Sequence, residues 1–288
     1  MKHLKSILLL TAVCLTGCSS NDDSEPKLNG QTPRPMYVEV LGVSRTAAPT
    51  TTETLNSFAV HYLGNKYEYK KKEDGTWPTG SWPTDVANDQ KIDFYADTYT
   101  YNDTHSTSYI YNDGNPYIHF TVEGTVSNQH DLLVSECKQV SYAETEGHVK
   151  FHFTHACAAP HFTVQLDDAI SSQYGDKLTV KNIVLKNVNN AGNYYYATKS
   201  WQEVTGNASY TLINSPITVT TAEQSLSSGY LFMIPQTRAA DGTNGTHLEI
   251  TYNKGGEEDK QAIIPFGIDW QAGTIHPINI LLGETVIK

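Results

Sequence analysis

The stretch Val149-Lys150-Phe151-His152-Phe153 alternates apolar and polar side chains without a break. In an extended chain successive side chains leave on opposite faces, so Val149, Phe151 and Phe153 enter a core while Lys150 and His152 meet water. A helix would need a period near 3.6 instead. The same two-residue rhythm returns on both sides of this stretch. Upstream it runs through Met36–Leu41, Phe58–Leu63, Lys91–Ala96 and Tyr117–Val122. Downstream it runs through Phe162–Leu166, Leu178–Leu185, Tyr210–Ile213, Tyr230–Ile234, His247–Tyr252 and Thr274–Leu282.

Asp74-Gly75, Asp113-Gly114, Asn244-Gly245 and Gly255-Gly256 fall between these segments and supply the positive φ angles of tight hairpins. Helical periodicity is weak, with His155–Ala159 the one exception. Short strands at this spacing, rich in Thr, Tyr and Val, predict an all-β chain built of β-sandwiches rather than βαβ units. The length suits two domains in tandem: an N-terminal β-sandwich over residues 36–148 and a C-terminal one over 149–288.

The N-terminus carries Lys2 and Lys5, an apolar run from Ile7 to Val13, and then Leu15-Thr16-Gly17-Cys18. This reads as a signal peptide over residues 1–17 with a lipobox, cut before Cys18, which takes the lipid. The apolar run is well short of the roughly 20 residues a membrane-spanning helix needs. Residues 18–35 begin Ser19-Ser20-Asn21-Asp22-Asp23-Ser24-Glu25-Pro26 and read as a flexible acidic tether. The expected location is therefore the outer membrane, cell surface or a fimbrium, with contact to the membrane through lipid on Cys18. The chain has 20 basic against 31 acidic residues. Loss of Lys2 and Lys5 with the signal peptide makes the mature protein more acidic still, which argues against nucleic acid as a partner.

No Gly-x-Ser-x-Gly elbow, phosphate-binding glycine loop, His-Glu-x-x-His helix or Cys-x-x-Cys pair occurs in the sequence. The chain is expected to be no enzyme and to carry no cofactor. His148, His152, His155, Cys157 and His161 are ligand types that zinc accepts. On a strand, however, His152 faces water and His155 and Cys157 lie beyond it, so no metal site is expected. Cys137 and Cys157 flank successive strands, which allows a disulfide; free buried thiols are the favoured expectation. Trp77 and Trp82 frame a short loop and either cap the first core, the preferred reading, or make an exposed contact. Tyr99, Tyr101, Tyr109 and Tyr111 cluster, and exposed tyrosines stack on sugar rings or peptides; they are the candidate ligand contacts. Tyrosine is equally ordinary at half-buried strand positions.

Several segments together resemble the fimbrillin family of the Bacteroidetes, whose members build or decorate type V pili. They are Asp131-Leu-Leu-Val, Val149-Lys-Phe-His-Phe-Thr-His-Ala-Cys-Ala, Leu178–Asn187, Tyr230-Leu-Phe-Met-Ile-Pro-Gln and Trp270-Gln-Ala-Gly-Thr-Ile, the last leading into an alternating terminal strand. They follow one another in order over residues 131–282, behind a lipobox; over 36–130 the resemblance is vaguer. It implies transthyretin-like sandwiches, lipoprotein export, and partnership with other pilus subunits through strand exchange. The donor strand of one subunit fills a groove in the next, satisfying backbone bonds and burying alternate side chains.

In such proteins a trypsin-like protease commonly cuts after an arginine and releases the first strand. Arg45, which follows the strand-like Met36–Val43, is the favoured processing site and Arg34 the alternative. The chain stops at Lys288, soon after the last alternating strand, so an accessory or tip role is expected over a repeating stalk role. The competing expectation is a surface lipoprotein that never polymerises and binds glycan or host protein.

Overall fold

The computed structural model describes residues 33–44, 50–101, 103–105, 107–213, 215–226 and 230–287. The expected signal peptide, Cys18, the tether as far as residue 32, and Arg45 lie outside the described residues. From Arg34 onward the chain forms one unit, and its architecture is all-β.

The first nine strands are β1 (Pro35–Val43), β2 (Ser57–Tyr62), β3 (Asn65–Lys70), β4 (Thr79–Ser81), β5 (Ile92–Asp97), β6 (Tyr109–Ile110), β7 (Tyr117–Thr121), β8 (Leu133–Val140) and β9 (His148–His155). Seven of them form one sheet in the order β3-β2-β5-β8-β9-β1-β4. Its inward residues include Met36, Phe58, Phe94, Phe151 and Phe153, which together with Trp82, just past β4, are nearly or wholly buried in a first core. In β9 burial alternates residue by residue, with Val149, Phe151 and Phe153 in and His152 out, as the period of two dictates. Trp82 is a core residue, and Trp77 packs edge-on against Phe58.

The later strands are β10 (Ala159–Leu166), β11 (Leu178–Val188), β12 (Ala191–Tyr195), β13 (Ser200–Thr205), β14 (Ala208–Ile213), β15 (Ile217–Thr218), β16 (Gln224–Ser225), β17 (Gln236–Arg238), β18 (His247–Lys254), β19 (Lys260–Pro265), β20 (Ile268–Trp270) and β21 (Ile275–Leu282). They make sheets ordered β16-β10-β21 and β14-β11-β18-β19, and a β17-β20 pair. A further sheet, β13-β12-β7-β6, joins the early strands β6 and β7 to later ones. Through it Ile118 and Phe120 enter a second core with Phe162, Ile183, Tyr210 and Trp270. Tyr196 ties the two regions by donating its hydroxyl to the carbonyl of Ala96 at 3.1 Å.

Two local expectations need correction. Tyr230–Ile234 alternates like a strand, yet only Met233 makes a bridge, to Ala158. The segment instead bonds piecemeal: Leu231 N–H to the Pro160 carbonyl and Phe232 N–H to the Gln129 side chain. His155–Ala159 is not helical. Its small buried residues cross between sheets, with Ala156 N–H bonded to Leu132 and Ala158 N–H to Met233, so long-range partners replace a helical turn. Among the described residues the α-helices are α1 (Tyr142–Thr145) and α2 (Asp168–Tyr174). The second starts where Asp167 caps it by accepting from Ala169 N–H at 2.9 Å. Among the described residues no helix is long and apolar enough to cross a membrane.

Candidate functional site

The seat of β1 is the site that sequence and structure together single out. β1 runs parallel to β9 from Tyr37 opposite His148 to Val43 opposite Phe153, and antiparallel to β4 on its other edge. Pro35 opens the strand, where the missing N–H removes no ladder bond. Alternation sends Met36 and Val38 inward. A register shift between Val40 and Gly42 then resets the phase, so that Val43 is again inward and Leu41 is 62% exposed. Each inward side chain that loses water adds about 1.5–3 kcal/mol of gross burial.

The ends of β1 are pinned by the backbone. Tyr37 N–H donates to Gly147 O, Trp82 N–H to Arg34 O, and Ser44 N–H to Phe153 O, all within 2.8–2.9 Å. Gly147 sits at φ +86°, and a Cβ there would strike the carbonyl of Pro35. The turn before β9 can therefore approach β1 only as glycine. The outward face of β1 is polar: Glu39 meets His148 at 2.6 Å and Lys150 at 3.7 Å, and Tyr37 stacks on the His148 ring.

The chain has three arginines. Arg34 is tied down: it donates to Asn88 Oδ1, to Pro83 O at 2.8 Å and to Val86 O at 2.6 Å, and its guanidinium lies over the Tyr142 ring. Arg238, in β17, donates to Asn189 Oδ1 at 2.7 Å. Arg45 lies outside the described residues, just beyond Ser44. A protease must draw its target arginine into an extended, accessible form; at Arg34 that means breaking three hydrogen bonds and a ring contact.

The structure does not gather the four candidate tyrosines on one surface. Tyr99 is buried, stacked on His105 at 4.0 Å and packed on Phe120. Tyr109 lies flat on His61 at 3.9 Å. Tyr101 is half-buried, and Tyr111 lines a cavity together with Tyr62 and Tyr95. Sequence reading missed the network beneath Tyr109. There His61 Nε2 lies 2.9 Å from Asp97 and 2.8 Å from Thr100, all three buried. The signal was weak, because its members stand far apart in the sequence.

His148, His152, His155 and His161 part company as well. His148 faces Glu39, His155 pairs inward with Asp131 at 2.9 Å, and His161 lies near Ser225 and Tyr230. Among the described residues no group of three or more His, Cys, Asp or Glu could hold a metal ion. Cys137 and Cys157 are free thiols, and burial raises both above the ordinary thiol range, so neither is an activated nucleophile.

The fimbrillin-like sequence profile matches residues 39–288. The chain belongs to the fimbrillin-like family. No curated protein sequence matches it, but solved structures do. A fimbrial protein from Bacteroides vulgatus ATCC 8482 superposes with a TM-score of 0.56 at 18% identity, over 88% of this chain and 96% of that one. A candidate cell adhesion protein from Bacteroides uniformis ATCC 8492 gives 0.51 at 19% identity, over 88% and 95%. At such identities the likeness is one of fold. The match of this fimbrillin-like chain includes most of β1 and all of the later strands.

Proposed function

We propose that this chain is a structural and adhesive subunit of a cell-surface pilus, exported as a lipoprotein and assembled by strand exchange. The observation that carries the reading is β1: one strand, followed at once by Ser44 and Arg45, that fills a slot in the first core with Met36, Val38 and Val43. Cutting after Arg45 turns β1 from a tethered segment into a separate peptide that stays with the lipid on Cys18. The loss of effective concentration then lets a neighbour's strand compete for the slot. The incoming strand would bond along β9 and β4 and place apolar side chains where Met36, Val38 and Val43 now sit. Membership of the fimbrillin-like family and the fold shared with fimbrial and adhesion proteins support this reading. The hydrogen bonds of Arg34 support Arg45 as the processing site.

The experiment is limited digestion of the purified protein with an arginine-specific protease, followed by size-exclusion chromatography with light scattering. A single cut at Arg45 and a ladder of oligomers are expected. Cleavage there that leaves only monomers would sink the strand-exchange step, and the uncut protein would then act as a fixed surface adhesin toward host protein or glycan. Replacement of Cys18 by Ala should release the protein from the membrane fraction; retention would remove the lipid anchor from the reading.

A further inference from the structure

A cavity of about 350 Å³ opens beside β5, and its lining combines aromatic and polar side chains. Tyr62, Tyr95 and Tyr111 supply aromatic surface. Asp93 and Gln139 supply a planar polar pair: Asp93 Oδ1 accepts from Gln139 N–H at 2.8 Å and from Gln139 Nε2 at 3.1 Å. That arrangement aims the pair and leaves Asp93 Oδ2 with only a long contact, 3.5 Å, from the Tyr95 hydroxyl. The Gln139 Oε1 atom is a second acceptor. Lys91 on the rim lies 3.2 Å from Glu144, and Lys138, over the Tyr95 ring, lies 3.1 Å from Glu136, so both charges are already countered and Asp93 sets the sign of the site.

Backbone strain gathers at the same place. Of the eight described non-glycine residues with left-handed φ, Leu63 and Gln139 line the cavity, and Asn112 and Asp113 connect its lining residues Tyr111 and Gly114. Such conformations cost about 1–3 kcal/mol each and persist where the surroundings over-determine them, commonly at ligand sites. The hairpin turn accounts for Leu63, and the β-bulge where β8 passes Asp93 of β5 accounts for Gln139 and aims it at Asp93.

We propose that this cavity binds the end of an uncharged oligosaccharide, one tyrosine ring taking the apolar C–H face of a sugar and Asp93 with Gln139 accepting from neighbouring hydroxyls. The volume suits a ligand of roughly one or two sugar rings. Asp93 repels carboxylates, so sialic and uronic acids are disfavoured. Burial beside Asp93 and Glu136 pushes the Tyr95 hydroxyl up to about 12, keeping it a neutral donor or acceptor at physiological pH. This deepens the adhesive part of the reading above and does not depend on strand exchange, because the cavity is complete in the uncut chain.

The test is an array of neutral, sialylated and uronate-containing oligosaccharides probed with the full uncut chain, followed by calorimetric titration of a neutral hit. Tyr111→Ala should weaken binding about tenfold, the worth of one aromatic stacking contact. Asp93→Asn should weaken it too, while Tyr101→Ala, outside the cavity, should bind as wild type. Should Tyr111→Ala melt early, the near-isosteric Asp93→Asn carries the test. The proposal is overturned by an array with no neutral ligand, by a preference for acidic glycans, by wild-type binding of both cavity variants, or by equal loss in Tyr101→Ala.

Discussion

The first and last strands, β1 and β21, each lie parallel to one of the consecutive strands β9 and β10, but they are held differently. β21 pairs with β10 through eight residues in unbroken register, from Ile275 opposite Ala159 to Leu282 opposite Leu166. Among the described residues it has no neighbour on its other edge. β1 has a neighbour on each edge and a register shift in its middle. By strand count β1 is the better-held of the two, yet it is the one with an arginine just past its end. What makes a strand exchangeable is a place to cut beside it together with a row of inward side chains that another strand can mimic. Hydrogen bonds along its edges can be remade by any newcomer.

The contrast can be broken most severely by removing β1. Cleavage after Arg45 and separation of the β1 peptide should lower the stability of the remaining body, because Met36, Val38 and Val43 leave the first core, each with about 1.5–3 kcal/mol of gross burial. Guanidinium unfolding of cut and uncut protein checks this; equal midpoints would mean that β1 plugs nothing.

Next come the inward anchors. Met36→Ala in β1 and Leu282→Ala in β21 should each cost about 3 kcal/mol in urea unfolding, since both side chains are wholly buried. A cost below 1 kcal/mol for Met36 alone would make β1 a loose cover, and the comparison would favour β21 as the structural strand. Gly147→Ala should cost about 2 kcal/mol, through the strained φ and the collision with Pro35. The part owed to Pro35 should disappear in the cut protein once β1 is gone; a loss that stays undiminished would locate the strain wholly in the turn itself. The smallest effect belongs to the outward face: Glu39→Gln should change stability by less than about 1 kcal/mol, because its pairs with His148 and Lys150 are solvent-exposed.

Much of the fold was legible in Val149–Phe153 and its like, because a period of two states which side chains go in before any partner is known. Tyr230–Ile234 shows the limit of that reading. Its alternation is real, but Gln129 and Pro160 take the backbone bonds a neighbouring strand would have taken. Tyr99 shows another limit. A tyrosine serves equally as a core ring with its hydroxyl satisfied and as an exposed platform, and only its burial against Phe120 decides which.

The sequence alone determined the strand-rich character of the chain, the lipobox expectation at Cys18 and the two arginines that bracket Met36–Val43, because these are local patterns of size, polarity and spacing. Tertiary structure decided that β1 lies parallel to β9, that Arg34 is bound by Asn88, Pro83 and Val86, and that Tyr111, Asp93 and Gln139 line one cavity. Those facts rest on contacts between residues far apart in the chain. Such contacts are selected by the joint burial of two cores, and no segment read by itself carries that information.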